Sequence, residues 1–462
     1  MKNRTILAII IFCAALLRLS QLGDIPFWED ELYTLYRSKM PLVSAMYNLI
    51  RVPTHPPLYY FLVNLWVGLF GDSEIALRLP SVIFSTASVF YIFKLGEKLY
   101  SPRSGLYAAA LAAIFPFSLY YAQEAKMYSL SWLLCLASFL LFYRLLENFS
   151  KTGLTAYILL TTASWYTSYT VIICTLVQFL TLFLLKPSPA WKKWFWAYFL
   201  ILLLYFPWLG IVAGQSLSWE CIQWVPPTDN YLLQTAKHIS GILNFPPWGT
   251  PGKWIAAPLT VLYLLMAAGA IAGLKKDGSF PFRVNIKTAD TILLAWLCLP
   301  FAAYYLIDKF WFRIFSLPRY IGFVHIPLLL LAGKGICKLT ARQQAAALVI
   351  LCLTSSAGIN AYYSGGRKIL DQRWEEALAF IESSSPRKSL VITAIDPAAL
   401  ACYKTSLTLR PGVLPQSLID SAKGQRSFFV ILRDEQSIPA IVSGHHLRNQ
   451  WKKGSLHILR YE

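Results

Sequence analysis

Apolar residues run along this chain in long unbroken blocks, not in the alternating or every-third-position pattern of a half-buried soluble element. Segments 5–19, 105–122, 128–143, 153–186, 195–214, 254–273, 289–307 and 344–362 are each long enough, or nearly so, to cross a hydrocarbon core about 30 Å thick as helices. A soluble core needs no such series, so the pattern predicts a polytopic all-α membrane protein. One block departs from it. Pro57–Phe70 has only 14 residues, opens on Pro-Pro and closes on Gly71-Asp72-Ser73-Glu74. A run of that length is more often interfacial or re-entrant than spanning.

After residue 363 the pattern changes. Trp374-Glu-Glu-Ala-Leu-Ala-Phe-Ile reads as an amphipathic helix, Ser389-Leu-Val-Ile-Thr as a buried strand, and Phe428-Phe-Val-Ile-Leu as a second strand. Alternating strand and helix predict a small α/β domain. The chain therefore divides into a transmembrane domain, 1–363, whose first outer loop spans 23–78, and a soluble domain, 364–462. Neither internal repeats nor low-complexity segments are visible.

Composition agrees: 56% of the 462 residues are hydrophobic and 14% charged, with a mean hydropathy of +0.49. The net charge of +19, from 42 basic and 23 acidic residues, does not indicate nucleic acid. In membrane proteins Lys and Arg collect in cytoplasmic loops. Lys2 and Arg4 are taken as inside. If Pro57–Phe70 is left out of the span count, Lys94, Lys98, Arg103, Arg144, Lys151, Lys192, Lys193, Lys275, Lys276, Lys334, Lys338 and Arg342 all fall on that inner side. If it is counted, they all fall outside. The charges therefore predict about eleven spans with a shallow juxtamembrane helix at 57–70, and a tail domain on the outer side. The N-terminus reads as an uncleaved first span. Cys13, Cys135, Cys174, Cys298 and Cys352 fall inside apolar runs as small hydrophobes, whereas Cys221 and Cys402 lie outside them.

Ionisable groups at membrane depth are functional candidates, and four outer segments gather them. They are 23–78, the short loop 122–128, a Trp- and Pro-rich loop at 215–253, and 308–319. Glu29-Asp30-Glu31 follow the first helix, and His55-Pro-Pro opens the shallow one. Gln123-Glu124-Ala-Lys126-Met-Tyr128 marks the outer end of the third span. Lys309, Arg313 and Arg319-Tyr320 flank the tenth. Together they offer carboxylates for proton transfer and cations for an anionic group. Plainer readings compete. Glu29 or His55 would serve as helix caps, Glu124 and Lys126 would pair with each other, and Arg319 would snorkel. Trp66, Trp219, Trp224 and Trp248 read as aromatic-belt residues, and His325 as a hydrogen-bonded packing residue. His445-His446 lacks a third ligand, so no metal site is assigned. Asp30 and Glu31, behind Trp28 and with no lysines in step, fit the plain readings least.

In this order the stretches resemble the GT-C glycosyltransferases of the protein-mannosyltransferase and aminoarabinose-transferase type. The match runs through Trp28-Glu-Asp-Glu, His55-Pro-Pro-Leu-Tyr-Tyr, Arg78-Leu-Pro-Ser-Val, Tyr121-Ala-Gln-Glu-Ala-Lys-Met-Tyr, Tyr166-Thr-Ser-Tyr and Arg319-Tyr320. It covers most of 5–335, with the tail only loosely similar. The resemblance implies the GT-C fold and inverting transfer of a sugar from a polyprenyl-phosphate carrier. The acceptor, a glycolipid, a glycan or a protein, would lie on the extracytoplasmic side of a bacterial inner membrane. It implies Asp30 as general base or acceptor-orienting carboxylate, with Glu31 in support. His55, Gln123, Glu124, Lys126, Tyr128, Arg319 and Tyr320 are implied as substrate-binding residues. Two positions depart from the family pattern. Lys126 replaces a more usual Arg, keeping the charge but losing the bidentate fork, and Ser168 stands where relatives often show His.

Phosphate is a good leaving group, so Arg319 and Lys126 would suffice to stabilise it, and a divalent cation stays open as a cofactor. The competing function is a transporter or flippase of lipid-linked saccharides. That class places ionisable residues near mid-membrane, often in paired repeats; here they gather at one face without a repeat. A membrane-anchored binding protein displaying its tail leaves the Asp30 cluster unexplained.

Overall fold

The structure, a computed structural model, describes residues 2–51, 55–184, 191–217, 228–244, 262–269, 272–273, 283–284, 288–311, 313–315, 318–364, 371–385, 389–393, 395, 397–400, 402–403, 405–411, 427–433, 441–442 and 444–462. It forms two compact units. One comprises Met1–Ser20, Met46–Tyr59 and Leu79–Tyr362; the other comprises Gln21–Ala45, Tyr60–Arg78 and Tyr363–Glu462. Trp219, Trp224, Trp248, Cys221 and the other residues of 218–227, 245–261 and 270–271 lie outside the described residues.

The first unit is helical apart from the short antiparallel pair of Ala272–Gly273 with Arg283–Val284. Among the described residues, six helices are long and apolar enough to cross a membrane: Glu74–Leu99, Tyr128–Glu147, Lys192–Gln215, Ala289–Phe310, Pro318–Lys338 and Ala341–Ser364. Pro102–Ile114 and Pro116–Ala122 make a seventh if the pair, bent by 60°, is taken as one span. The bend has a local cause. Phe115 is extended (φ −73°, ψ 115°) because the ring of Pro116 excludes helical geometry from the residue before it. The roughly eleven spans expected from the charges also include Lys2–Leu19, which carries three cations, and the shorter helices Lys151–Trp165 and Ile172–Leu184. The last is block 254–273.

Helix Leu58–Phe70 has 13 residues. At 1.5 Å per residue it is about 20 Å long, short of a core about 30 Å thick.

Small residues let the helices approach closely, the usual basis of helix association in lipid. A Cβ on Gly105 would stand 2.5 Å from the Phe93 carbonyl oxygen and 2.9 Å from the Glu97 nitrogen, and one on Gly333 would stand 2.7 Å from the Ser104 carbonyl oxygen. Helices Glu74–Leu99, Pro102–Ile114 and His325–Lys338 meet there backbone to backbone. Gly105→Val is accordingly expected to destabilise the detergent-purified protein by about 1–3 kcal/mol. An unchanged melting temperature would contradict this packing.

The second unit joins the first loop, most of Leu58–Phe70 and the tail. The tail holds a mixed sheet of β1 (Leu390–Thr393), β2 (Thr408–Pro411), β3 (Phe428–Arg433), β4 (Ile441–Val442), β5 (His445–Lys453) and β6 (Leu456–Tyr461), in the order β2-β1-β3-β6-β5-β4. β1 runs parallel to β2 and β3, and the remaining pairs are antiparallel. Leu390, Ile392, Phe428, Val430, Leu432, Leu459 and Tyr461 form its core. Helix Trp374–Ser384 packs on β5 and β6. The helix at Trp374 and the strands at 389–393 and 428–432 stand where the pattern places them. The hairpin 445–461 does not show in that pattern, since His445-His-Leu-Arg-Asn-Gln-Trp-Lys-Lys is polar nearly throughout.

Candidate active site

In the second unit the acidic cluster opens helix Glu29–Ser38. Trp28 is its N-cap and makes no side-chain hydrogen bond there; Glu29, Asp30 and Glu31 fill the first turn, where carboxylates complement the partial positive charge of a helix N-terminus. Glu29 is thus not the cap expected from sequence. Its backbone N–H donates to Gln372 Oε1 at 2.9 Å, and its carboxylate pairs with Arg433 Nη1 at 2.7 Å. Both partners belong to the tail.

Glu31 is 1% exposed, and both its oxygens accept from Arg78: Nε at 2.8 Å and Nη2 at 2.6 Å. The same guanidinium donates to the carbonyls of Leu22, Ile25 and Pro26 and lies over the Phe27 ring. Arg78 therefore binds the loop backbone and the helix together, and Glu31 neutralises it. This separates two carboxylates that the sequence groups: Glu31 holds the loop, and Asp30 is half-buried on the same turn. At 3.6 residues per turn, Asp30 projects about 100° around the axis from each neighbour.

The far end of this helix is also fixed. Asn64 Nδ2 donates to Ser38 O and Met40 O, both at 2.8 Å. Lys39 pairs with Asp72, and its hydrogen bond holds the Asp72 carboxyl below the usual range. Tyr403 of the tail has its hydroxyl pushed well up by burial, with Cys402, Glu375, Glu74 and Glu31 adding to the shift.

In the first unit, Gln123, Glu124, Lys126 and Tyr128 lie together on the turn between helices Pro116–Ala122 and Tyr128–Glu147, and all four are buried. The Lys126 N–H donates to Glu124 O at 2.8 Å, and the Lys126 carbonyl accepts from Ser81 Oγ at 3.3 Å. Gln123 Nε2 donates to Arg18 O at 3.0 Å and Ser20 O at 2.7 Å, while its Oε1 accepts from the Tyr362 hydroxyl at 3.1 Å. Gln123 therefore ties the end of the first helix to Ala341–Ser364. Tyr128 stacks edge-on against Tyr121.

His55 is half-buried ahead of buried Pro56-Pro57. The Leu58 N–H donates to Tyr166 O at 2.9 Å, so the His-Pro-Pro and Tyr-Thr-Ser-Tyr stretches meet. Ser168, in place of a family His, lies 2.9 Å from Thr170 Oγ1. Arg319 sits half-buried on the turn Pro318–Ile321 with its guanidinium 5.5 Å from the Tyr320 ring centroid, and Tyr304 donates to Tyr320 O at 3.1 Å.

Sequence reasoning missed Arg18. It is 1% exposed and donates to Ser85 Oγ at 2.8 Å and to the carbonyls of Ala14, Ala112 and Ala113. With Ser118, Trp132 and His325 it lines a cavity of about 10 Å³, room for about one water molecule. His325 Nδ1 lies 2.6 Å from Gly322 O, which can only accept. Nδ1 therefore carries the proton, and Nε2 accepts from Ser118 Oγ at 3.2 Å. His325 is thus the hydrogen-bonded packing residue that its position suggested. The signal for Arg18 was a lone cation at the end of an apolar run. Among the described residues no group of three His, Cys, Asp or Glu is placed to hold a metal ion.

The family model described as dolichyl-phosphate-mannose-protein mannosyltransferase matches residues 54–211. Comparison with curated proteins gives no match. Among solved structures, ArnT from Cupriavidus metallidurans in the apo state superposes with a TM-score of 0.68 at 10% identity, over 100% of this chain and 98% of that one. ArnT bound to undecaprenyl phosphate gives 0.61 at 12% identity, over 98% and 97%. The apo Archaeoglobus fulgidus oligosaccharyltransferase gives 0.54 at 11% identity, over 94% of this chain and 70% of that one. The matched family and these neighbours are glycosyltransferases, and the chain has the GT-C glycosyltransferase fold.

Proposed function

We propose that this chain is an inverting glycosyltransferase of a bacterial inner membrane. It moves a sugar from a polyprenyl-phosphate carrier to a glycolipid, glycan or protein acceptor on the extracytoplasmic side. One observation carries the reading: the likeness to ArnT runs over the whole chain, tail included, and ArnT has been solved with undecaprenyl phosphate bound.

In this reading the acceptor oxygen attacks the anomeric carbon as the bond from that carbon to the phosphate oxygen breaks. Asp30 takes the acceptor proton, which requires a carboxylate within hydrogen-bond reach of the hydroxyl. The electron pair leaves with the phosphate, whose growing charge Arg319 and Lys126 stabilise. Lys126 meets the phosphate as a point charge rather than a fork. His55, Glu124, Tyr128 and Tyr320 hold the donor and acceptor. Gln123 acts at one remove, through the carbonyls of Arg18 and Ser20.

Loss of one such stabilising group typically costs about 100–1000-fold in rate. Arg319→Ala is therefore expected to slow transfer from undecaprenyl-phosphate monosaccharides in reconstituted membranes by about that factor. Wild-type turnover in this variant would remove Arg319 from the site.

A further inference from the structure

We infer that the tail domain is part of the catalytic apparatus, with Arg433 and Gln372 as positioning residues for Asp30. This rests on the reading of Asp30 as the base. The contacts reach across the chain. Gln372 Oε1 accepts the Glu29 N–H at 2.9 Å, and Arg433, the last residue of β3, pairs with the Glu29 carboxylate at 2.7 Å. Glu29 is the first residue of the helix and Asp30 the second. The first N–H groups of a helix have no partner inside it, and Trp28 supplies no side-chain cap. The tail supplies the missing acceptor.

Each tail residue is itself held. Gln372 Oε1 also accepts from Trp374 Nε1 at 3.0 Å, and Trp374 is fully buried. β3 is the central strand, flanked by β1 and β6, with residues 428–432 all buried. Helix Pro397–Leu400 packs on Glu29–Ser38 as well. A central strand and an anchored glutamine make a rigid support, and a rigid support is what a base positioned to within fractions of an ångström requires. The tail's task in this chain is therefore to set the first turn of that helix.

The test uses the full-length protein in lipid nanodiscs and two readouts. Hydrogen exchange at the first-turn amides of Glu29–Ser38 needs no substrate, and Arg433→Ala should raise it about 10–100-fold. Turnover of undecaprenyl-phosphate monosaccharides should show kcat lowered about 10–100-fold with donor KM unchanged. The amount of undecaprenyl phosphate bound per protein should stay at the wild-type level. Glu29→Arg and Arg433→Glu should each behave like Arg433→Ala, and the double exchange should recover both readouts. Unchanged first-turn exchange in Arg433→Ala overturns the positioning role. So does raised exchange with full kcat in that variant, provided Asp30→Asn is inactive. If Asp30→Asn turns over like the wild type, the base assignment itself falls and takes this inference with it.

Discussion

Asp30→Asn is expected to lower sugar transfer by about 100–10,000-fold, the usual contribution of a positioned general base, while lipid binding and the melting temperature stay at wild-type levels. The substitution preserves shape and keeps a polar group on the first turn, but removes the proton acceptor. The contrast with its neighbours makes the prediction specific. Glu29 is bound to Arg433 and Gln372, and Glu31 gives both oxygens to Arg78. Loss of either neighbour is therefore expected to act first on the order of the loop. Turnover measured beside lipid binding, for the Asn variant and for Glu31→Gln, separates the two cases. Equal kcat in Asp30→Asn and wild type would remove the base from the mechanism.

The second large effect is structural. Arg78 is 1% exposed and serves five acceptors: two Glu31 oxygens and the carbonyls of Leu22, Ile25 and Pro26. Arg78→Met leaves a buried carboxylate without its counter-charge and three carbonyls without their donor. Breaking a buried pair from one side costs about 3–5 kcal/mol. The expected result is rapid proteolysis within 21–45 and a lowered melting temperature. Arg78→Lys should recover only part of this, because an ammonium cannot reproduce the fork. The double replacement Arg78→Met with Glu31→Leu should be more stable than Arg78→Met alone, since it removes the uncompensated charge. A single variant as stable as the wild type would show that the pair does not organise the loop.

How far the sequence reached depends on the range of the interaction. Apolar blocks are local, so the helical body and the short helix at Leu58–Phe70 are legible by length alone. The buried runs at 389–393 and 428–432 are local as well, whereas β5 hides because its residues are largely polar and exposed. The grouping of the first loop with the tail is not legible at all. It rests on contacts such as Glu29–Arg433 and Glu29–Gln372, which join residues more than 300 positions apart and leave no periodicity to read. The same holds within the acidic cluster. Three adjacent carboxylates look alike in sequence, and the contacts of Glu29 with Arg433 and of Glu31 with Arg78 come from residues far along the chain. Gln123 is a further case, since its side-chain hydrogen bonds to Arg18, Ser20 and Tyr362 join helix ends far apart in the chain.

The most direct test of the central claim is transfer itself, followed with the anomeric configuration of the product. The purified protein is reconstituted with undecaprenyl-phosphate monosaccharides and a glycolipid, glycan or peptide acceptor. The predicted result is consumption of one donor, release of undecaprenyl phosphate and a product of inverted anomeric configuration. Movement of the intact donor across the bilayer without its consumption, or a product of retained configuration, would contradict it.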